Sequence, residues 1–288
     1  MSQGVLPFKY ENEKTNTGMT ALPGLPVYMD LAKVIGLSKS IEKHLKVRKG
    51  GQGWTDSQIV LSLVLLNLAG GDCVDDVKIL EADDGFCEVL KKAEMHDLRR
   101  KVRRALLRRW RKEKTRAVPS PSAIFRYLEE FHDIEQEKLQ LELPFPTMDI
   151  KDCRYKIFGM VTNMDWEGEE LIHWLHERCG KSEEVHAVMK DDLAGGKLPS
   201  DDFGENAAWW WIMVLSHNLN AMMKKLAMKG SWLPKRMKAV RFSFINLAGR
   251  VVKGSRSLII RLTRNNPSLE LLINARKEIA MLQPVPSG

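Results

Sequence analysis

Residues 177–200 read ERCGKSEEVHAVMKDDLAGGKLPS. Their spacing predicts a helix from Arg178 to about Leu193, ended by Gly195-Gly196 and Pro199. On such a helix Glu183, His186, Ala187 and Lys190 stand three, four and seven residues apart and share one face across two turns. That face is polar, while Val185 and Val188-Met189 mark the packed side. An acid, an imidazole and an amine in one row suit a phosphate-and-metal site. A carboxylate is a hard oxygen ligand for Mg²⁺, and a lysine ammonium meets a phosphate oxygen as a point charge. An exposed helix with ordinary Glu-to-Lys pairing shows the same row. Spacing does not separate the two, and the flanking chain has to.

Downstream, Asp201 to Gly204 lead into a helix over about Glu205–Lys229, apolar nearly all round where it carries Trp209, Trp210 and Trp211. Consecutive tryptophans on such a segment are read as core, with a base-stacking platform as the other assignment. Lys235, Arg236, Lys238 and Arg241 make a basic patch. Two alternating segments, Phe244–Val252 and Ser257–Leu262, turned at Gly254-Ser255, predict a hairpin. Its Arg250, Lys253, Arg256, Arg261 and Arg264 either lie along a DNA strand or protect an exposed edge from pairing. Leu269–Leu282 reads as a closing helix and Pro284–Gly288 as a tail. Upstream, Arg154–Thr162 alternates like a strand. Residues 134–148 are acidic and Gln-rich and contain ELPFP, the composition of an extended linker.

Residues 1–20 are polar and expected to be loose, and residues 21–133 read as a helical domain. Val27–Leu37 is its first helix. Thr55 and Gln58 form a capping-box pattern before the apolar run Ile59–Leu68, which Gly70-Gly71 stop. Asp72–Ala82 and Phe86–Ala93 are shorter helices. Asp97 to Arg116 then carries eleven Lys or Arg residues against Asp97 and Glu113. Leu98, Val102, Ala105, Leu106 and Trp110 form a helical stripe, so the opposite face is almost wholly cationic. A face like that repels itself unless something negative lies along it, and double-stranded DNA is the natural candidate. A solvated helix, or a stripe for RNA or a membrane surface, would have the same composition. After Pro119, Ser120 is placed as N-cap and Pro121 at the first helical position. Ile124, Leu128 and Phe131 pack, and Ser122, Phe125 and Arg126 lie toward the exposed half, like the second element of a helix-turn-helix or like a plain structural helix. The candidate DNA contacts are Arg99, Arg100, Arg103, Arg104, Arg108, Arg109, Arg111 and Lys112, with Ser122 and Arg126.

Residues 177–200 resemble the C-terminal catalytic signature of DDE transposases of bacterial insertion sequences. There a glutamate is followed seven residues later by a lysine, with an arginine a few residues before. Glu183 and Lys190 match; Arg178 stands one residue farther out than the usual arginine, and Glu184 competes as the acid. The similarity continues through AGGKLPSDDFGENAAWWWIMVLSHNLNAMMK and KRMKAVRF, and covers GWTDSQIVLSLVLLNLAGGDCVDD and PSPSAIFRYLEEF.

The resemblance implies a mainly α protein with a small α/β part: an N-terminal helical DNA-binding domain, then, over 149–288, the C-terminal remnant of an RNase-H-like fold. It implies Glu183, Lys190 and Arg178 as catalytic residues, with Glu183 also the metal ligand, and Mg²⁺ as the family's cofactor. It further implies the terminal inverted repeats of double-stranded DNA as partner, self-association or pairing with a full-length transposase, and a place in the cytoplasm at the nucleoid. In the family, a long segment with most of the central sheet and the first two catalytic aspartates lies between the helical domain and the late strand. Here the chain passes from FHD to IEQEKLQLELPFP. Two-metal phosphoryl transfer needs carboxylates that hold both ions about 3.5–4 Å apart. Asp83-Asp84, Asp149, Asp152, Asp191 and Asp192 do not restore that set by position, although Asp191 and Asp192 could hold a cation weakly. The expectation is a chain that grips DNA and does not cut it.

Composition sets the outer bounds. With 288 residues and 44% hydrophobic content there is material for two cores. A net charge of +8 and a pI near 9.2 favour a polyanionic partner. Cys73, Cys87, Cys153 and Cys179 lack a CxxC pair, which argues against a zinc ribbon or a disulfide framework and for buried thiols in a reducing cytosol. The N-terminus has no signal-peptide core, and the longest apolar run, Ala207–Leu215, is far short of the ~20 residues of a membrane span. A soluble protein with no membrane partner is expected.

Overall fold

A computed structural model describes residues 5, 8–12, 19–48, 53–96, 98–109, 116–133, 165–254 and 257–282, without the side chains of 105–109 and 175–183. The 134–148 linker, the 154–162 strand and the C-terminal tail lie outside the described residues. The architecture is mainly helical with one small mixed sheet.

Its centre is a helix, α3 (Asp56–Ala69), that is buried on every side. The expected capping box starts it: Thr55 Oγ1 accepts from the Gln58 amide at 3.2 Å, and the Thr55 amide donates to Gln58 Oε1 at 3.1 Å. Gly70 stops it with φ +103°, a conformation that a side chain disfavours, and its amide reaches back to the Leu66 carbonyl at 3.1 Å. Around α3 pack α1 (Leu25–Val34), α2 (Leu37–His44), α4 (Val77–Ala82) and, later in the sequence, α9 (Phe203–Met222), with α5 (Asp84–Glu94) lying on α1 and α4. Tyr28 of α1 donates to Asn220 Oδ1 of α9 at 2.8 Å, and Asn67 of α3 reaches Ser216 of α9. The buried residues of both halves of the chain therefore form one cluster, from Phe8 to Ile279. Within it Cys87 donates from its thiol to the Leu80 carbonyl, and burial pushes that thiol up to about 12.

Between these elements lie α6 (Arg100–Arg109), α7 (Pro121–Leu128) and α8 (Gly168–Ala187). After α9 come the short α10 (Met237–Val240), the hairpin, and α11 (Ser268–Met281), which matches the expected closing helix. Ser120 caps α7 as read, accepting from the Ala123 amide at 3.2 Å.

The sheet corrects two expectations. Phe8–Asn12 (β1), placed in the loose N-terminal stretch, is a strand that pairs in parallel with Leu258–Leu262 (β3), Tyr10 opposite Ile260. Its period-2 alternation buries Phe8 and Tyr10 and leaves Lys9 and Glu11 on the other face. Gly249–Lys253 (β2) pairs antiparallel with β3, Arg250 opposite Arg261, giving the order β1-β3-β2. The predicted hairpin is present, but its first strand begins at Gly249 and not at Phe244, because Arg241–Ile245 close a π-helical turn that buries Phe244 and Ile245. Behind the sheet, Arg276 of α11 donates to the Phe8 carbonyl at 2.6 Å with its guanidinium 3.8 Å over the Phe8 ring.

The three tryptophans do not share one environment. Trp209 is fully buried, Trp210 is partly covered and Trp211 is 69% exposed, because consecutive helical residues point about 100° apart. Among the described residues no single helix is long and apolar enough to cross a membrane.

Candidate functional site

The signature helix is longer than its spacing suggests and changes pitch at its end. It starts at Gly168 as α8 and continues past Ala187 as a π-helical turn, Val188–Asp192, closed by the Gly195 amide on the Met189 carbonyl at 2.9 Å. A Cβ on Gly195 would meet that carbonyl oxygen at 2.8 Å, so the tight reversal needs glycine. Each residue of a widened turn rotates the chain by less than in an α-helix. Glu183, His186 and Ala187 keep their α-helical spacing, but Lys190 is displaced from the common face that seven α-helical residues would give.

The side chains of Glu183 and Arg178 lie outside the described residues, as does that of Cys179. Glu184, His186, Lys190 and Asp191 are exposed, and the His186 ring stacks over Trp210 with centroids 6.1 Å apart. Met189 is buried as expected, whereas Val185, placed on the packed side, is exposed.

Asp192 is the residue whose part was missed. Read as a weak cation ligand, its carboxylate is completely buried and already engaged. Arg236 donates to it from both ends of the guanidinium fork, Nε to Oδ2 at 3.2 Å and Nη2 to Oδ1 at 3.1 Å, and Lys238 Nζ stands 3.9 Å from Oδ1. Arg241 completes the cluster from the side. Its Nε donates to the Leu68 carbonyl at 3.0 Å, and its Nη2 to the carbonyls of Asn67, at 2.7 Å, and Asp192. Arg241 thus binds carbonyls at the ends of α3 and of the π turn, sharing that of Asn67 with the Gly70 amide, and burial holds its pKa below the usual arginine value. Of the patch, Arg241 is tied into the fold and Lys235 rests 3.9 Å over the Trp232 ring, while Arg236 and Lys238 stay 54% and 71% exposed beside Asp192. No local spacing signals these contacts, since Asp192 and Arg236 are 44 residues apart.

Other acids are also committed. Asp83 caps α5, accepting from the Phe86 amide at 2.8 Å, and holds the Ala21 amide at 2.8 Å and Thr20 Oγ1 at 2.9 Å. Asp149 and Asp152 lie outside the described residues. Among the described residues no group of three or more His, Cys, Asp or Glu is placed to hold a metal ion. A Mg²⁺ ion at Asp192 would have to displace an arginine fork and a lysine from a buried carboxylate, so the described residues do not fit a two-metal centre.

The basic helix is present as α6. Arg99, Arg100, Lys101, Arg103 and Arg104 are exposed along it. Val102, assigned to its packed stripe, is 45% exposed, so that part of the stripe is uncovered. The side chains of Arg108 and Arg109, and all of Trp110, Arg111 and Lys112, lie outside the described residues. On α7, Ser122 and Arg126 are exposed and one turn apart, with Arg126 Nε donating to the Ser122 carbonyl at 3.1 Å.

A family model described as transposase DDE domain group 1 matches residues 134–284, a little over half of the chain, starting at the first residue of the acidic connector. No curated protein and no solved structure matches.

Proposed function

The chain belongs to the DDE transposase family through the group 1 domain at residues 134–284, and from that membership we propose that it is a transposase chain of a bacterial insertion sequence that binds the element's terminal inverted repeats without cutting them. DNA is the general partner of such a family, and DDE transposases are in general Mg²⁺-dependent. Complete relatives cleave and transfer strands at those ends.

The observation that carries the binding half is the exposed cationic row of Arg99, just before α6, and Arg100, Arg103 and Arg104 on it, which no described acid neutralises by an ion pair. Phosphates along a duplex meet such a row, and the exposed Ser122 and Arg126 of α7 are suited to base edges. The non-cutting half is supported by the acids whose contacts are described, Asp83 and Asp192, which serve a helix cap and an arginine fork. Lys190, Glu183 and Arg178 would then be the remains of a catalytic set in which Glu183 has no sister aspartates.

A second role, as a non-catalytic partner of a full-length transposase or of another copy, is favoured by an apolar cavity of about 550 Å³ between α2, α7 and α9. Its rim carries Trp211 and Phe203, the latter 58% exposed, apolar surface of the kind that marks an association site.

Mobility shifts on duplexes ending in the inverted repeats test the proposal. A retarded complex that stays un-nicked when Mg²⁺ is added is the expected result. Nicking that a chelator stops would overturn the non-cutting half, and absence of a complex at low salt would overturn the whole.

A further inference from the structure

We infer that Asp192 is a positioning residue that aims Arg236 outward, so that the held fork, with the exposed Lys238 beside it, forms a second grip on the phosphate backbone at the end of the signature helix. The inference rests on the DNA-binding function proposed above and deepens it by naming this contact.

Charge is the first ground. One buried carboxylate balances one cation, yet Arg236, Lys238 and Arg241 all converge on Asp192 or its carbonyl, and the exposed Lys190 sits two residues before it. Lys197 adds nothing to the excess, because it pairs with Asp72 at 3.3 Å. Arg241 is committed to the helix-end carbonyls. Set against Asp192 and the exposed Asp191, the cations Arg236, Lys238 and Lys190 keep one net positive charge.

Geometry is the second ground. Arg236 uses one N–H of Nε and one of Nη2 on the carboxylate, and a guanidinium has five. Three N–H groups therefore face away from Asp192 on a side chain that is 54% exposed. Lys238 is 71% exposed and, at 3.9 Å, too far to donate a hydrogen bond to Asp192, so its ammonium keeps its donors for a ligand. A buried pair made only for stability would need neither the second cation nor the outward donors.

Pre-organisation is the third. A free arginine or lysine loses rotamer freedom when it grips a phosphate, and a fork already held by a rigid acid loses less. Asp192 supplies that rigidity because its own position is fixed by burial in the π turn and by Arg241 on its carbonyl.

The test uses the full chain and a labelled duplex of random sequence, since phosphate contacts are sequence-independent. Lys238→Gln leaves the Arg236–Asp192 fork intact and is the variant least able to disturb folding. It should weaken binding several-fold and make the plot of log K against log salt shallower by about 0.9 for the lost phosphate contact. Asp192→Asn separates positioning from bulk charge. Removing a negative charge would tighten binding if attraction were all that mattered, whereas loss of a held fork weakens it. Thermal melts of both variants establish that they are folded. Folded Lys238→Gln with an unchanged salt slope would overturn the inference alone, as would folded Asp192→Asn that binds the duplex more tightly than the wild type. Wild-type protein that binds no DNA would sink the proposed function itself.

Discussion

Arg276 of α11 lies 2.5 Å from the carboxylate of Asp30 in α1, and neither side chain reaches solvent. The same guanidinium holds the Phe8 carbonyl, so one buried cation joins the first helix, the first strand and the last helix. Desolvating an ion pair costs several kcal/mol, which good geometry roughly offsets, but removing one member strands the other in the core. Arg276→Met should therefore lower the unfolding free energy by about 3–5 kcal/mol, and Asp30→Asn by a similar amount, in urea titrations. Combining them should recover part of the loss. Single variants within about 1 kcal/mol of the wild type would show that the pair is not an anchor.

Glu94 gives the stability a pH dependence. Burial raises its carboxyl to about 7, only partly opposed by the hydrogen bond from Gln58 and by the charge of Lys91. The folded protein holds this proton more tightly than the unfolded chain does. The associated stability is complete below the ordinary carboxylate range and is lost as pH rises through about 7. Unfolding free energies at pH 5.5 and 8.5 should differ by about 1–3 kcal/mol in favour of the lower pH, and Glu94→Gln should remove most of that difference. An unchanged difference in the variant would exclude Glu94 as its source.

Neighbouring tryptophans of α9 should respond in opposite ways. Trp209→Ala empties a fully buried site and should cost about 3–5 kcal/mol. Trp211→Ser should stay within about 0.5 kcal/mol of the wild type in stability, and should reduce self-association seen by light scattering. A large loss of stability in Trp211→Ser would place that ring in the core after all.

On α6, Arg100→Gln, Arg103→Gln and Arg104→Gln in one protein should leave the melting temperature nearly unchanged, because these side chains are exposed. The same protein should lose affinity for any duplex, with a salt slope lower by up to about 0.9 for each residue that meets a phosphate. An unaltered slope would mean that the row faces solvent in the complex.

What could be read ahead of the structure follows the range of the forces involved. The capping box at Thr55 and Gln58, the stop at Gly70 and the Ser120-Pro121 start of α7 depend on atoms a few residues apart, and each was legible. The FKYEN segment was not, because its partner strand is some 250 residues on and the polar letters of a two-sided strand resemble a tail. The π turns at Val188–Asp192 and Arg241–Ile245 leave no mark in the composition, so a fixed α-helical period misplaces Lys190 and strand-like alternation from Phe244 starts β2 too early. Asp192 was misjudged for the same reason as Asp30 was overlooked: its partners are remote in the chain. The three tryptophans were within reach, since adjacent residues on a helix cannot all face one core.

The pairing of β1 with β3 also bears on how the molecule is made. Translation delivers Phe8–Asn12 first and Leu258–Leu262 near the end, so a nascent chain leaves the ribosome with an apolar strand face waiting for its neighbour. A message cut short before codon 258 would yield a product with that edge bare and Asp30 without its counter-charge, a substrate for chaperones and proteases more than a smaller working protein.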